Sequence, residues 1–201
     1  MASPSDPVPT PPDAASVVLS LAEERPPTLG EGRLVCVDGP AGSGKTTLAL
    51  AVAGRRPGAR VVHMDDLYDG WDGLPRLTAQ LTGLLRPLAG GEAGSYRRYD
   101  WAAGRYAETV TVPPGPLLVL EGVGSGSREH ADLITVLAWV EAPADLRLRR
   151  GLERDGAAMA DHWRQWAVDE QALFRREATA ERADLLVDGT GVAPPTPRAV
   201  P

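Results

Sequence analysis

The most constraining feature of the sequence is a glycine-rich segment at residues 39–46. It is written GPAGSGKT and matches the pattern G-x-x-x-x-G-K-[ST]. An apolar run, 33–39, leads into it, and a helical pattern, 46–54, follows. Glycines let the backbone N–H groups converge on one point, and the start of a helix favours negative charge. The segment therefore predicts a loop that binds nucleotide phosphates, with Lys45 on the β- and γ-phosphates and Thr46 on Mg²⁺.

Five short apolar runs rich in leucine and β-branched residues predict strands that are buried on both faces of a parallel sheet. Helical patterns separate several of them, and leucines spaced three and four apart mark the helix over 74–88. Strands that alternate with helices indicate an α/β fold with a parallel central sheet and helices on both of its faces. Residues 95–112 depart from this pattern and predict an inserted hairpin. The predicted strands are 33–39, 59–65, 116–122, 134–140 and 183–189, and the other predicted helices are 142–155 and 158–182.

Length and composition predict one domain with short tails. Of the 201 residues, 1–30 form a proline-rich tail with a short helix, 31–188 form the domain, and 189–201 form a disordered tail. The formal net charge of −6 argues against general binding to nucleic acid or to an anionic membrane surface. Cys36 is the only cysteine, which excludes a disulfide within the chain. We expect a cytoplasmic protein with no membrane partner, and the sequence leaves open whether copies of the chain form a homo-oligomer.

Acidic residues end two of the predicted strands, where open α/β sheets bind their ligands. Glu121 closes the run 116–122, in the position from which a carboxylate reaches Mg²⁺, whereas Asp38, just before the glycine-rich segment, is a weaker candidate. Asp65 and Asp66 follow the second strand. A group that accepts a proton from an alcohol must lie near that alcohol, so Asp65 is the candidate base and Asp66 is expected to point elsewhere.

Six blocks in a fixed order resemble the uridine kinase and phosphoribulokinase group of P-loop kinases, and the uridine kinase branch in particular. The resemblance runs from about residue 33 to about residue 155. It implies a P-loop NTPase fold with a helical lid, ATP as phosphoryl donor, Mg²⁺ as cofactor, and a small-molecule acceptor, the 5′-hydroxyl of a nucleoside. The blocks are VDGPAGSGKTT, MDDLY, WDGL, RYDWAAGR, LLVLEGV and DLRLRRGLERD.

The resemblance also implies roles for individual residues. Asp65 matches the catalytic aspartate, and Tyr68 would line the acceptor pocket. The implied residues of the lid are Arg150 and Arg154, which would neutralise charge during transfer together with Lys45. Other residues implied for the acceptor are Asp72 near a ribose-binding aspartate, Tyr99 on the nucleobase and Arg105 near an arginine beyond it. Those implied for ATP are Gly39, Ala41, Gly42, Ser43, Gly44, Lys45, Thr46 and Thr47, with Thr46 and Glu121 on the metal.

The sequence departs from the family at two positions that bear on the acceptor. Gly104 stands where uridine kinases have a histidine that helps to recognise the base, and Gly151 stands where the lid has a further arginine. Three alternatives therefore stay open: a nucleoside monophosphate held by arginines at 97, 98 and 105, another small alcohol, or a non-catalytic module that senses ATP. A GTPase is disfavoured because the Asn-Lys-x-Asp guanine motif is absent from the sequence.

The helix predicted over 158–182 has two tryptophans on one face, Trp163 and Trp166. The favoured interpretation is packing of this helix onto the sheet, and contact with the substrate is the alternative.

Overall fold

The computed structural model describes residues 13–198. The expectations for residues 1–12 and 199–201 lie outside the described residues. The eight strands are β1 Arg33–Asp38, β2 Arg60–His63, β3 Gly94–Asp100, β4 Arg105–Val112, β5 Leu117–Glu121, β6 Val136–Glu141, β7 Leu185–Asp188 and β8 Thr196–Pro197. The helices in these residues are α1 Ala14–Glu24, α2 Lys45–Ala53, α3 Leu77–Ala89, α4 Ala144–Asp155, α5 Ala160–Glu177 and α6 Thr179–Arg182.

A six-stranded sheet in the order β2-β5-β1-β6-β7-β8 forms the centre of the molecule. The first five strands in this order are parallel to one another, and β8 runs antiparallel to β7. The five parallel strands are those that the apolar runs predict, and the helices between them follow the predicted order. The α/β prediction with a parallel central sheet is confirmed.

Helices cover both faces of this sheet. Successive residues of a strand point to opposite faces, so each buried strand contributes side chains to the core on both sides. Val35 and Val37 of β1 pack in one core cluster with buried residues of α1 and α2, such as Val18. Leu34 and Cys36 of the same strand pack in a second cluster, with buried residues of α3 and α5. Neither face of β1 is open to solvent, which explains why its sequence does not alternate between apolar and polar residues.

The insertion between β2 and β5 contains α3 and a separate two-stranded antiparallel sheet, β3-β4. The predicted hairpin is confirmed. Gly94 begins β3 where this strand passes against α3, and a Cβ atom there would lie 1.9 Å from the carbonyl oxygen of Leu84. A glycine is therefore required for the hairpin to approach α3 this closely.

Both ends of the described chain pack against the central sheet. Helix α1, predicted within the N-terminal tail, packs on the sheet, and the Arg25 guanidinium that follows it donates to the carbonyl oxygen of Thr135 at 2.7 Å. The expectation of a disordered tail from residue 189 is wrong for part of that segment, because β8 pairs with β7. The Arg198 backbone N–H also donates to the carbonyl oxygen of Asp184 at 2.7 Å. In the part of the chain that the structure describes, no helix combines the length and apolar character needed to cross a bilayer.

We expect Val18→Ala to lower the free energy of unfolding by about 1–3 kcal/mol, because its fully buried side chain joins α1 to the sheet. Chemical denaturation measures the effect. Ser20→Ala, at an exposed position of the same helix, is the control and should change stability by less than about 0.5 kcal/mol. Equal stability of the Val18→Ala variant and the unmodified chain would show that α1 is not part of the folded unit.

Candidate active site

A cavity of about 810 Å³ opens at the carboxyl ends of the parallel strands. Its lining comes from the glycine-rich loop, the segment after β2, the segment after β5, the hairpin turn, and helices α4 and α5 with the turn between them. It thus unites most of the residues that the sequence singles out for phosphate, metal and acceptor. Those that line it are Ala41, Gly42, Gly44, Lys45, Thr46, Asp65, Tyr68, Glu121, Arg150 and Arg154.

The glycine-rich loop wraps the start of α2 in the conformation that the motif predicts. Gly42 and Gly44 have φ angles of +77° and +106°, which favour glycine. The side chain of Lys45 is buried, and its Nζ donates to the carbonyl oxygen of Pro40 at 2.8 Å. Burial lowers the pKa of Lys45, and the carboxylate of Asp38 opposes this. The loop therefore presents an ammonium group and a helix N-terminus to the same end of the cavity.

Asp38 serves the backbone and is not a metal ligand. Its carboxylate is fully buried and accepts N–H donors from Gly39 at 2.7 Å, Gly124 at 3.0 Å and Gly126 at 2.9 Å. Burial raises the pKa of Asp38 to about 6, although these hydrogen bonds oppose the shift. The Asp38 side chain thus joins the start of the glycine-rich loop to the segment after β5. Its oxygens are occupied by these backbone N–H groups, so Asp38 is not a metal ligand in this structure.

Thr46 and Glu121 meet at the other side of the loop. The Thr46 hydroxyl donates to Glu121 Oε1 at 3.1 Å, and His63 Nδ1 lies 2.5 Å from the same oxygen. A hydroxyl and a carboxylate side by side fit Mg²⁺, which takes few protein ligands and keeps water and phosphate oxygens around it. Within residues 13–198 no group of three or more His, Cys, Asp or Glu side chains forms a cage for a metal ion, which agrees with this sparse type of site.

Asp65 and Asp66 both line the cavity, within a 3₁₀ turn that follows β2. The expectation that Asp66 points elsewhere stays a prediction: the residue borders the cavity, but the charges nearest to its carboxyl, those of His63 and Arg98, lie outside the lining. Protein around the Asp65 carboxyl raises its pKa by desolvation, and the charge of Glu121 adds to the shift, although the cavity leaves the residue partly exposed. Trp101 donates from its indole nitrogen to the backbone carbonyl of Asp65 at 2.9 Å.

Four tryptophans line the cavity and form an aromatic wall: Trp71, Trp101, Trp163 and Trp166. Trp71 packs edge-on against the other three, with ring centroids 5.6 to 6.5 Å apart. Tyr68 packs edge-on against Trp166 at 4.9 Å and donates its hydroxyl to the carbonyl oxygen of Val123. The tryptophans of α5 thus pack against the domain, as the favoured interpretation has it, and they also line the cavity, so their contact with a substrate stays a prediction.

The two predicted lid arginines lie on α4 and line the cavity. Arg150 donates to the carbonyl oxygens of Gly42 and Gly189, each at 3.1 Å. Arg154 forms a two-pronged pair with Asp155 and lies 5.7 Å from the ring centroid of Trp163. The Arg150 guanidinium is therefore held against the backbone of the glycine-rich loop, whereas Arg154 is held by Asp155 beside Trp163.

Arg147, which shares a helix face with Arg150 and Arg154, forms an ion pair with the buried Glu170 that the sequence does not predict. Arg147 Nη1 lies 3.2 Å from Glu170 Oε1, and Glu170 Oε2 accepts the backbone N–H of Ala41 at 2.8 Å. Burial raises the pKa of Glu170, whereas the hydrogen bond from Ala41 and the charge of Lys45 lower it. The pair fastens α4 and α5 to the phosphate loop. The sequence contains one signal for the role of Glu170. This glutamate lies one turn beyond Trp166, on the helix face that carries both tryptophans.

Trp163 explains why Gly151 replaces the further arginine of the family's lid. A Cβ atom at position 151 would lie 2.3 Å from the ring of Trp163, which fills the space beside the helix. Glycine at position 151 thus makes room for the ring of Trp163 beside α4.

The structure does not bring three of the predicted acceptor residues into the cavity. Trp101 lines the cavity and packs edge-on against Tyr99, with centroids 5.4 Å apart, so Tyr99 supports the wall from behind. Asp72 and Arg105 are exposed. Three residues predicted for ATP are also outside the lining: Gly39, which packs on the backbone of Val140, the buried Ser43, and the exposed Thr47.

Comparison with curated proteins finds a partial relative. A tRNA dimethylallyltransferase from Anaeromyxobacter dehalogenans is 37% identical over an alignment of 159 positions that covers 71% of this chain and 49% of the relative. The chain therefore spans about half the length of that protein. No family model matches the sequence.

Comparison with solved structures finds the same fold in kinases. A possible uridine kinase from Bacillus stearothermophilus is 22% identical, with a TM-score of 0.55 over 78% of this chain and 89% of that chain. A candidate fructose transport system kinase from Silicibacter sp. TM1040 is 21% identical, with a TM-score of 0.57 over 81% and 94% of the two chains. The YGR205w protein is 11% identical, with a TM-score of 0.52 over 85% and 91%. The chain has the fold of the uridine kinase-like group of P-loop kinases.

We expect Gly151→Ala to lower the free energy of unfolding by about 1–3 kcal/mol, because the added methyl group overlaps the ring of Trp163. In the Trp163→Ala background the same change should be neutral or stabilising by up to about 1 kcal/mol, since alanine favours a helix over glycine. Urea denaturation of the four proteins measures both effects. Loss of stability in both backgrounds would contradict the steric explanation.

Proposed function

We propose that this chain transfers the γ-phosphoryl group of ATP to an alcohol, and that the alcohol is the 5′-hydroxyl of a nucleoside. The observation that carries the proposal is that one cavity contains the phosphate loop with Lys45 and, across from it, the carboxylate of Asp65. Fold neighbours that are described as kinases support an ATP-using transferase.

On the donor side, the loop N–H groups and Lys45 hold the phosphates of ATP. Thr46 and Glu121 would hold Mg²⁺, which supplies neutralisation of phosphate charge when it is bound. Glu121 is oriented by the Thr46 hydroxyl and by His63 on the neighbouring strand, so its carboxylate is fixed before the nucleotide arrives.

On the acceptor side, Asp65 accepts the proton of the substrate hydroxyl. The freed oxygen forms a bond to the γ-phosphorus, the bond between that phosphorus and the β–γ bridging oxygen breaks, and ADP leaves with the electron pair. The raised pKa of Asp65 suits a proton acceptor, because a stronger base draws the proton away more readily. Positioning and charge stabilisation account for most of the catalysis, since phosphoryl transfer needs little covalent help.

Arg150 and Arg154 stabilise the charge that spreads over the transferred group. Both occupy α4, whose position is fixed by the ion pair of Arg147 with Glu170. The aromatic wall excludes water from the acceptor, which limits hydrolysis of ATP.

A monophosphate acceptor has less support than an unphosphorylated alcohol. The arginines that would bind its phosphate lie on the hairpin outside the cavity lining. Arg98 pairs with Glu108, and the Arg97 guanidinium lies over the ring of Tyr106. Transfer to tRNA, as the name of the curated relative describes for that protein, also has less support, because this chain has a net charge of −6 and polynucleotide binding relies on cationic surfaces.

We expect Asp65→Asn to retain ATP binding and to lose about 10²–10⁴-fold in turnover, because the amide cannot accept the proton. Release of ADP, screened with Mg-ATP against nucleosides, nucleoside monophosphates and small polyols, identifies the acceptor and then measures the loss. Asp161→Asn, at an exposed position of α5, is the matched control. Full turnover in the Asp65→Asn protein would remove the base assignment, and tight ATP binding without turnover of any acceptor by the unmodified chain would favour a sensing module.

We expect Lys45→Ala to weaken ATP binding and to lower kcat/KM by about 10²-fold or more, because it removes the buried ammonium group from the loop. Equilibrium binding of labelled ATP and the ADP assay measure the two effects. Arg149→Ala removes an exposed cation from α4 and should leave both unchanged. Unaltered ATP affinity in the Lys45→Ala protein would contradict the phosphate site.

A further inference from the structure

Asp65 differs from the other carboxylates near the glycine-rich loop in how it is held. The carboxylates of Asp38, Glu121 and Glu170 each accept hydrogen bonds from the protein. Among residues 13–198, no side chain and no backbone N–H donates to the Asp65 carboxylate, and the charges and burial around it are what shift its pKa. The direction of the Asp65 side chain therefore depends on the backbone that carries it.

The backbone at Asp65 forms a short 3₁₀ turn, Met64–Asp66, directly after β2. Two N–H groups that follow it donate to the carbonyl oxygen of Met64, at 2.8 and 3.2 Å. The next carbonyl oxygen, that of Asp65, accepts no backbone N–H in the part of the chain that the structure describes. It accepts the indole N–H of Trp101 at 2.9 Å, from a residue 36 positions further along the chain. Trp101 therefore supplies the partner that this carbonyl group needs and holds the Asp65 peptide group in one orientation.

The turn between β3 and β4 presents Trp101 at the tip of the inserted hairpin. The carboxylate of Asp100 accepts the backbone N–H of Ala103 at 3.0 Å, and this bond across the turn fixes its shape. Gly104 ends the turn with a φ angle of +64°, a left-handed conformation that favours glycine. The hydrogen bond and the glycine thus shape the tip that carries Trp101 to the segment after β2.

The ring of Trp101 lies between the hairpin and the segment after β2. Tyr99 of the hairpin packs edge-on against it, with ring centroids 5.4 Å apart, and Trp71 of that segment packs edge-on against it at 5.6 Å. Trp101 is 40% exposed and lines the same cavity as Asp65. The ring is therefore accessible to a molecule in the cavity, while its N–H is engaged by the Asp65 backbone.

On the basis of the proposed function, in which Asp65 accepts the proton of the alcohol, we propose that Trp101 is the positioning residue for Asp65. Its indole N–H fixes the Asp65 peptide group and so holds the carboxylate at one place in the cavity. The same ring forms part of the cavity wall, so an alcohol that packs on it meets a proton acceptor whose position is already set. Placement matters because a displacement of about 1 Å can cost on the order of 10²-fold in rate.

Trp101→Phe tests the role of the N–H group, because it keeps an aromatic ring and removes the donor. With the full chain, Mg-ATP and the alcohol that the ADP screen identifies, we expect kcat to fall by about tenfold and KM for ATP to change by less than about twofold. Trp139→Phe is the matched control. Its indole N–H donates to Glu141 Oε2 at 3.3 Å, outside the lining of this cavity, and its loss should leave kcat unchanged. An unaltered kcat in the Trp101→Phe protein would overturn the proposal.

The Asp65→Asn background shows whether Trp101 acts through Asp65. A side chain that no longer accepts the proton gains nothing from being well placed, so Trp101→Phe should lower the residual kcat of the Asp65→Asn protein by less than about twofold. A second loss of about tenfold in this background would show that Trp101 acts independently of Asp65, and the positioning role would then fail.

Hydrogen exchange of backbone amides tests the contact without turnover. The amides of Leu67 and Tyr68 are bonded within the turn, and we expect them to exchange at least about fivefold faster in the Trp101→Phe protein than in the unmodified chain. Amides of α2 should be unchanged, and an equal rise there would count as general loosening and against the proposal. If no alcohol is phosphorylated but the turn responds in this way, the proposed function fails and the contact stands. Unchanged exchange in the turn would overturn the positioning role even in an active kinase.

Discussion

The buried ion pair between Arg147 and Glu170 connects the parts of this molecule that have to act together. Through it the glycine-rich loop, α4 and α5 share one set of hydrogen bonds, with the loop contributing the backbone N–H of Ala41. Removal of Arg147 would leave the buried Glu170 carboxylate without this cation, which costs several kcal/mol, on the order of 3–5. The loop that would receive the phosphates and the helix that carries Arg150 and Arg154 are therefore not independent bodies in this structure.

The aromatic wall extends the same connection to the inserted segment. Trp71 comes from the first part of the insertion and Trp101 from its hairpin turn, and Trp163 and Trp166 come from α5. Their edge-on contacts close one side of the cavity. The indole nitrogens are the only polar atoms that these four rings contribute. The replacement of a lid arginine by Gly151 belongs to this arrangement, because the glycine makes room for Trp163. The glycine-rich loop and the aromatic wall thus both contact α4.

The sequence predicted what depends on local pattern. The loop at 39–46, the parallel strands and the approach of Glu121 to Thr46 all follow from a motif or from the rule that strand ends gather at one edge. What it could not predict depends on contacts between distant segments. Glu170 lies 129 residues beyond Ala41 in the chain. Its spacing from Trp163 and Trp166 is that of any helix face, so the spacing does not indicate the contact with the loop. Tyr99 stands behind the wall and not in it, because the neighbouring Trp101 takes the position next to the cavity.

Helix α1 has a consequence for how the chain folds. Its apolar stripe packs against β1 and α2, which follow it directly in the chain, and against β6, which comes about a hundred residues later. Arg25 at its end bonds to Thr135 and Asp184, which lie 110 and 159 residues further along the chain. The helix can therefore begin to pack early in folding, whereas the contacts that fix its end form only when these distant segments come together.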